Sequence, residues 1–181
     1  MFSKIESSNP IHELDDQFKY FTAAILEVWQ QENETNNGGI LLFVPSYPDF
    51  VRLRNHLSKT DLSFSAISEY STVRDISHAQ SHFLTVKQKV LLYTERVHHF
   101  RWYKIKGVKQ ILMYGIPANP IFYMELADFL LAEVGEGNIR VENAKIRAIF
   151  SKWDALKLER IVGTKRCQIM CSEAGDTFKF P

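Results

Sequence analysis

Residues 90–117 read VLLYTERVHHFRWYKIKGVKQILMYGIP, and their pattern decides the fold. Two apolar runs, VLLY at 90–93 and QILMY at 110–114, are typical of strands buried on both faces. The segment 94–106 between them carries four cations and one carboxylate among aromatic side chains. Because strands that are apolar throughout belong to covered parallel sheets, the stretch predicts an α/β sheet with a basic, aromatic connection.

The alternation of strand and helix continues on both sides of this stretch. The pattern predicts strands at 40–44, 63–68, 89–93, 110–114 and 145–150, and helices from Leu14 to a loop at 33–39, then at 48–58, 73–84, 120–133 and 151–163. This order predicts a doubly wound α/β sheet with right-handed crossovers. Two short runs around SEAGD, within residues 166–180, predict a C-terminal hairpin appended to it.

Composition limits the class of protein. The 181 residues suit a single domain, 1–181, and the formal net charge of +1 means that any nucleic-acid surface must be a local patch. The absence of a long apolar run and of a signal-like start predicts a soluble, intracellular chain with no membrane partner. Cys167 and Cys171, if they lay on a strand, would sit roughly 13 Å apart, so reduced thiols are expected.

Four segments carry a resemblance to a known family. They are PSYPDFVRLRNHL at 45–57, FSAISEYS at 64–71, LLYTERVHHFRWYKIKGVKQILMYGIPANPIFY at 91–123 and FSKWDALKLERIVGTKR at 150–166. The order of elements resembles the second RecA-like domain of a superfamily-two RNA helicase. The amino-acid sequence of these segments is similar to that of the C-terminal domain of the digestive-organ expansion factor family. This family comprises U3 small nucleolar RNA-associated, helicase-like proteins of the small-subunit processome.

This resemblance implies a set of partners and a location. Members of the family act in the nucleolus on early pre-ribosomal RNA. The expected partners are pre-rRNA or small nucleolar RNA, other small-subunit processome proteins, and a first RecA-like domain upstream. The chain is therefore expected to be a fragment of a longer two-domain protein.

The catalytic arginines of active helicases are missing at the matching positions. Such helicases follow a tyrosine with one histidine and three arginines that reach the γ-phosphate. Aligned on Tyr123, the histidine position is Met124 and the arginine positions are Glu125, Asp128 and Leu131. An arginine finger contributes about 10³ to 10⁵ in rate, and the P-loop pattern is also absent from the chain. The sequence predicts a pseudo-helicase with no catalytic residue and no cofactor.

The candidate RNA-binding residues combine cations, aromatic rings and strand-end hydroxyls. They are Ser46, Arg52, Arg54, Thr94, Arg96, His98, His99, Arg101, Trp102, Lys104 and Lys106. Cations bind phosphates and aromatic rings stack on bases, which favours RNA. The alternative is contact with a protein, with Phe100 and Tyr103 sealing the sheet edge. The hydroxyls of Ser46 and Thr94 could equally cap helices.

Three further patterns have a structural interpretation. Arg54 falls within an apolar arc of its helix, which predicts a buried guanidinium paired with Glu69 or Glu95 unless a phosphate binds it. His78 and His82 have a metal-compatible spacing but lack a third ligand, so no metal site is predicted, and none is predicted at the cysteines. Trp153, Leu156 and Leu158 are predicted to be core and lid contacts.

Three functions remain open from the sequence. The favoured one is an inert helicase-like domain that binds RNA and protein in the small-subunit processome during pre-rRNA processing. The second is the second domain of an active RNA-dependent ATPase, and the third is a protein-docking scaffold without RNA contact. The substitutions at Glu125, Asp128 and Leu131 argue against the ATPase.

Overall fold

A computed structural model describes residues 1–26, 38–173 and 175–179. A seven-stranded sheet runs through it in the order β3-β4-β2-β5-β6-β1-β7. Every neighbouring pair is parallel except β1 and β7, which are antiparallel. The strands are β1 Phe2–Ile5, β2 Ile40–Val44, β3 Phe64–Ile67, β4 Val90–Thr94, β5 Gln110–Met113, β6 Lys145–Ser151 and β7 Thr177–Phe178.

The helices connect these strands. They are α1 Glu13–Tyr20, continued as one π-helical segment Phe21–Ile25, α2 Tyr47–Leu57, α3 Val73–Leu84, α4 Glu95–Arg101, α5 Pro120–Gly135, α6 Ala155–Val162 and α7 Thr164–Ser172. The five predicted strands and the predicted helices at 48–58, 73–84 and 120–133 are confirmed. Of the first predicted helix, the part beyond residue 26 lies outside the described residues. No helix within the described ranges combines the length and apolar character that a membrane crossing needs.

The sheet separates two hydrophobic cores, as the apolar strands require. Leu41 and Phe43 of β2 face one core, whereas Ile40, Leu42 and Val44 face the other. The first core is covered by helices α3 to α7 and the second by α1, its π-helical continuation and α2. Helices on both faces confirm the predicted doubly wound architecture.

The predicted C-terminal hairpin is wrong. Residues 164–172 form α7, and only Thr177–Phe178 is extended, as a strand that pairs with the unpredicted β1. Cys167 and Met170 point from one side of α7 into the first core, at 7 % and 0 % exposure. This helical spacing of apolar residues decides the conformation. Gly163, with φ +84°, makes the turn between α6 and α7.

The helical conformation of residues 164–172 brings the two cysteines closer together than a strand would. Because four residues make about one turn of helix, Cys167 and Cys171 lie on one face of α7, and their Sγ atoms are 4.0 Å apart. The distance expected for a strand does not apply. Both cysteines are free thiols.

Candidate nucleic-acid interface

The carboxyl ends of β2, β4 and β5 meet at one edge of the sheet. Parallel sheets commonly bind ligands at such an edge, because the loops that follow the strands converge there. An open cavity of about 730 Å³ lies at this edge. It is lined by Pro45, Ser46, Glu95, Arg96, His99, Phe100, Ile116, Ala118, Asn119, Pro120, Phe122, Lys157 and Arg160.

Thr94 is a structural residue of this edge. Its hydroxyl accepts a hydrogen bond from Val97 N (3.3 Å), which caps α4, and donates one to Glu69 Oε2 (3.0 Å). Thr94 is 1 % exposed. The cap foreseen as an alternative is present, and burial removes Thr94 from any surface that RNA could reach.

His98 also lies inside the protein rather than on the predicted surface. It is 3 % exposed, and the rings of Phe43, Phe122 and Phe129 pack edge-on to its imidazole. Nε2–H donates to Glu125 Oε2 at 2.9 Å, and Nδ1 accepts from the Tyr93 hydroxyl at 3.3 Å. Burial lowers the pKa of His98, although the Glu125 carboxylate opposes that shift. Helix α4 turns His98 toward the sheet, so His98 belongs to the core. Its lowered pKa favours the neutral imidazole.

Glu125, one of the predicted degenerate arginine positions, forms a structural hydrogen bond with His98. Glu125 is half-buried and holds the imidazole of His98 across the α4–α5 contact. The other three aligned positions, Met124, Asp128 and Leu131, are exposed on one face of α5. The acid at position 125 therefore serves the packing of this domain.

Glu95 anchors the loop before α5. Its carboxylate accepts hydrogen bonds from Ala118 N at 3.0 and 3.2 Å, and the side chain is 8 % exposed. Burial raises the pKa of Glu95, while the backbone hydrogen bonds from Ala118 and Asn119 work against that rise. Its oxygens point into the loop, so this carboxylate is not free to pair with arginines.

The interpretation of Arg54 as a buried arginine is wrong. Arg54 is exposed, and neither Glu69 nor Glu95 pairs with it. The helical register places Leu53 and Leu57 in the core and leaves residue 54 toward solvent. Arg52 forms an ion pair with Asp15 (2.8 Å), and its guanidinium lies 4.0 Å from the Phe18 ring centroid. Arg52 and Arg54 lie outside the lining of the cavity.

The remaining basic and aromatic residues of the predicted surface are all exposed, and three of them, Arg96, His99 and Phe100, line the cavity. The whole set is Arg96, His99, Phe100, Arg101, Trp102, Lys104 and Lys106. Phe100 is 62 % and Trp102 65 % exposed, and the Trp102 indole N–H donates to His99 O at 2.8 Å. Tyr103 packs against the core, so it seals the sheet as expected, but Phe100 does not. Ser46 precedes α2 at its N-cap and lines the cavity.

Sequence reasoning missed three residues of this edge. Tyr70 is 69 % exposed and lies edge-on to Tyr47, with 4.9 Å between ring centroids. Lys157 and Arg160, both exposed, extend from α6 into the lining of the cavity. Their i,i+3 spacing places them on one helix face, a signal that the sequence contains. The expectation for this segment concerned its apolar residues and not these two cations.

Those apolar residues of the 151–163 segment do not share one role. Leu158 is fully buried, as predicted, whereas Leu156 is 75 % and Trp153 46 % exposed. His78 and His82 face each other on α3, with ring centroids 6.1 Å apart. Within the described ranges, no group of three or more histidine, cysteine or acidic residues is placed to hold a metal ion.

Comparison with known proteins assigns the chain to a family. Residues 1–180 match the family described as "Utp25, C-terminal domain". The chain belongs to this family. It is 48 % identical, over 99 % of its length, to "U3 small nucleolar RNA-associated protein 25" of Botryotinia fuckeliana, and 47 % identical to the protein of the same name in Sclerotinia sclerotiorum. The resemblance to the digestive-organ expansion factor family is confirmed. The chain spans about a quarter of the length of these relatives.

Solved structures confirm the RecA-like fold. Domain 2 of the DEAD-box helicase Mss116p superposes with a TM-score of 0.60 at 15 % identity, covering 91 % of this chain and 58 % of that one. The Escherichia coli DEAD-box protein SrmB superposes with a TM-score of 0.59 at 11 % identity, covering 88 % of this chain and 81 % of that one. The C-terminal domain of Dbp5 gives 0.57 at 14 % identity, with 82 % and 74 % covered.

Proposed function

We propose that this chain is a catalytically inactive helicase-like domain that binds RNA within the small-subunit processome and contributes to pre-rRNA processing. Its relatives carry the name of U3 small nucleolar RNA-associated proteins, which supports a nucleolar location and pre-rRNA or small nucleolar RNA as partners. Other processome proteins and an upstream RecA-like domain are the proposed protein partners.

One observation carries the RNA-binding part of this proposal. Arg96, His99 and Phe100 line an open cavity at the strand ends, and Arg96 and Phe100 also line a neighbouring hollow with Arg101. Arg96 lies 5.8 Å from the ring centroid of Phe100, so charge and stacking surface are adjacent. Such a combination suits single-stranded RNA, whose bases are free to stack.

The RNA proposal is tested with Arg96→Ala combined with Lys104→Ala. Each lost phosphate contact lowers the slope of log Kd against log salt by about 0.7 for a single strand. We therefore expect weaker binding to an oligouridylate and a shallower salt dependence, measured by fluorescence anisotropy. Arg74→Ala with Lys165→Ala is the matched control, since it removes two exposed cations from α3 and α7. Equal affinity in both double variants and the parent chain would favour the docking scaffold.

Inactivity is proposed from the α5 positions and is tested on the longer protein. The exposed residues Met124, Asp128 and Leu131 offer no guanidinium to a nucleotide. We expect no RNA-stimulated ATP hydrolysis above background. Asp128→Ala is the informative variant because Asp128 is exposed, whereas Tyr123 stacks on Phe2 at 5.9 Å and its loss would disturb packing. Turnover that Asp128→Ala abolishes would establish an ATPase.

A second candidate function rests on a different surface. Ile121, Met124 and Leu131 are 58 %, 63 % and 64 % exposed along one face of α5. Three large apolar side chains in one stripe are typical of a protein contact. This surface supports a role as a protein-docking domain, either beside RNA binding or in its place.

A further inference from the structure

The cavity at the strand ends is lined by cations from α6 as well as from α4. Arg96 enters its lining from α4, and Lys157 and Arg160 enter from α6, which follows the last long strand of the sheet. Two helices that are far apart in sequence thus bring three permanent charges to one concave site. The convergence is a property of the fold, since α4 and α6 pack on the same face of the sheet, through Val97 and Leu158.

The negative charge near this site does not neutralise it. Among the described residues of the lining, the one carboxylate is Glu95, and its oxygens accept hydrogen bonds from Ala118 N. Arg160 has no ion-pair partner among residues 1–26, 38–173 and 175–179. Lys157 bonds Asp154 Oδ1 at 3.0 Å, an exposed i,i+3 pair of the kind that contributes little and exchanges readily. Arg160 therefore brings unpaired positive charge to the cavity, whereas the charge of Lys157 is shared with Asp154 and Glu95.

Aromatic surface borders the charge on the α4 side. Phe100 lines the cavity and also lines a neighbouring hollow with Tyr70, Arg96 and Arg101. The two hollows share Arg96 and Phe100, so basic and aromatic groups continue from one to the other, with Glu69 as a carboxylate in the second hollow. Single-stranded RNA can offer both phosphates and unpaired bases to such a surface, whereas the bases of a duplex are paired and stacked inside the helix.

We infer that Lys157 and Arg160, with Arg96, form a phosphodiester-binding subsite that extends the RNA path of α4 into the cavity beside α6. The inference rests on the proposed RNA-binding function and names two residues beyond the α4 surface. Bases stack on the aromatic side chains of α4, and the next phosphates along the strand enter the cavity.

The test compares three double variants of the 181-residue chain. Lys157→Ala with Arg160→Ala removes the α6 cations, and Arg96→Ala with Lys104→Ala removes one cation of α4 and one of the segment that follows it. Arg74→Ala with Lys165→Ala is the charge-matched control. The probe is a fluorescein-labelled oligouridylate of about 16 nucleotides, the upper site size of one single-strand-binding fold. Binding is measured between about 50 and 200 mM salt.

The α6 variant is expected to bind roughly tenfold more weakly, with a salt slope lower by about 1.4 for two lost contacts. The control is expected to stay within about twofold of the parent chain, because its cations lie away from the cavity. The single variant Arg160→Lys keeps a cation at both α6 positions, and it is expected to retain most of the affinity of the parent chain. Zero-length photocrosslinking to a 4-thiouridine oligonucleotide should label the peptide that spans residues 155–162.

The outcomes separate the inference from the function on which it rests. If the α4 variant loses binding while the α6 variant matches the control, the subsite is overturned and RNA binding by α4 stands. If the parent chain does not bind the oligonucleotide at all, both are overturned. If a duplex of the same length binds as tightly as the single strand, the assignment to single-stranded RNA is overturned.

Discussion

At the scale of single residues, the partners of His98 fix its protonation state. The Glu125 carboxylate can only accept, so Nε2 carries the proton and Nδ1 receives the Tyr93 hydroxyl. Burial raises the pKa of Tyr93, so that hydroxyl stays protonated and remains a donor. Each polar atom of the imidazole is thereby satisfied within an aromatic cluster, which is the condition for burying it.

His98 makes the stability of the domain depend on pH. Its pKa is lowered in the folded state, so the unfolded chain binds the proton more tightly. The contribution is fully present above the ordinary histidine pKa of about 6.5 and is lost as the pH falls below that value. We expect the melting temperature of the parent chain to drop between pH 7 and pH 5 by more than that of His98→Gln. His99→Gln, at an exposed position, is the control and should follow the parent chain.

Trp102 presents the largest exposed aromatic surface of the α4 segment. Its backbone is left-handed, with φ +48°, and its indole N–H is held by His99 O, so the ring is fixed in an exposed position. Trp102→Ala is expected to weaken oligouridylate binding by about 1 to 3 kcal/mol, the usual value of one base–aromatic stack. Trp153→Ala removes a tryptophan that is 46 % exposed and lies outside the 96–106 segment, and it should leave binding unchanged. Equal losses in the two variants would contradict a specific stack.

At the scale of elements, α7 is defined by the side chains that it buries. Met170 is fully buried and Ile169 is 47 % exposed, although the two are adjacent in sequence. Met170→Ala is expected to lower the free energy of unfolding by about 2 to 5 kcal/mol. Ile169→Ala should change it by less than about 1 kcal/mol. Chemical denaturation of both variants measures the difference, and similar losses would argue against this helical register.

The elements also show how far the sequence predicts this structure. Strands such as Ile40–Val44 and Val90–Thr94 are apolar throughout, and a central parallel strand leaves no other place for such a run. β1, Phe2–Ile5, is short and contains Ser3 and Lys4, so its pairing with β6 comes from tertiary contact rather than from local pattern. The prediction of a hairpin within residues 166–180 rests on two short runs around SEAGD and does not weigh the helical spacing of Cys167 and Met170.

The candidate site is less predictable than the fold. The exposed cations of residues 96–106 follow from the sequence, since a basic segment after a buried strand lies at the sheet edge. The burial of Thr94 and His98 depends on which face of α4 meets the sheet, and a seven-residue helix is too short to show this by periodicity. Lys157 and Arg160 join the site only because α6 packs beside α5, a contact between distant segments.

At the scale of the whole molecule, β1 ties the ends of the described chain together. It lies between β6 and β7, and Lys4 Nζ donates to Cys171 O (3.0 Å) and Glu173 O (2.8 Å). Phe2 is 4 % exposed and stacks on Tyr123. The N-terminal strand thus connects the sheet to α5 and to the segment that follows α7.

Phe2→Ala tests this connection. We expect a loss of about 3 to 5 kcal/mol in the free energy of unfolding, because a buried aromatic side chain leaves a cavity. Hydrogen exchange should accelerate first in residues 145–151 and 164–179, which pack against β1 or pair with it. Ile11→Ala, at a residue that is 79 % exposed, is the control and should leave exchange unchanged. Uniform acceleration across the whole sheet would contradict a local role for β1.

The pairing of β1 with β6 also sets the order of events during synthesis. Phe2 of β1 pairs with Ala148 of β6, 146 positions later in the chain (148 − 2). At about 5 to 20 residues per second, the ribosome needs on the order of ten to thirty seconds to make the intervening segment. During that time Phe2–Ile5 has no native partner, while β2, β3, β4 and β5 can already pair with one another. Pairing of β1 with β6 is therefore a late event in the folding of the nascent domain, as expected for topologies with long-range pairing.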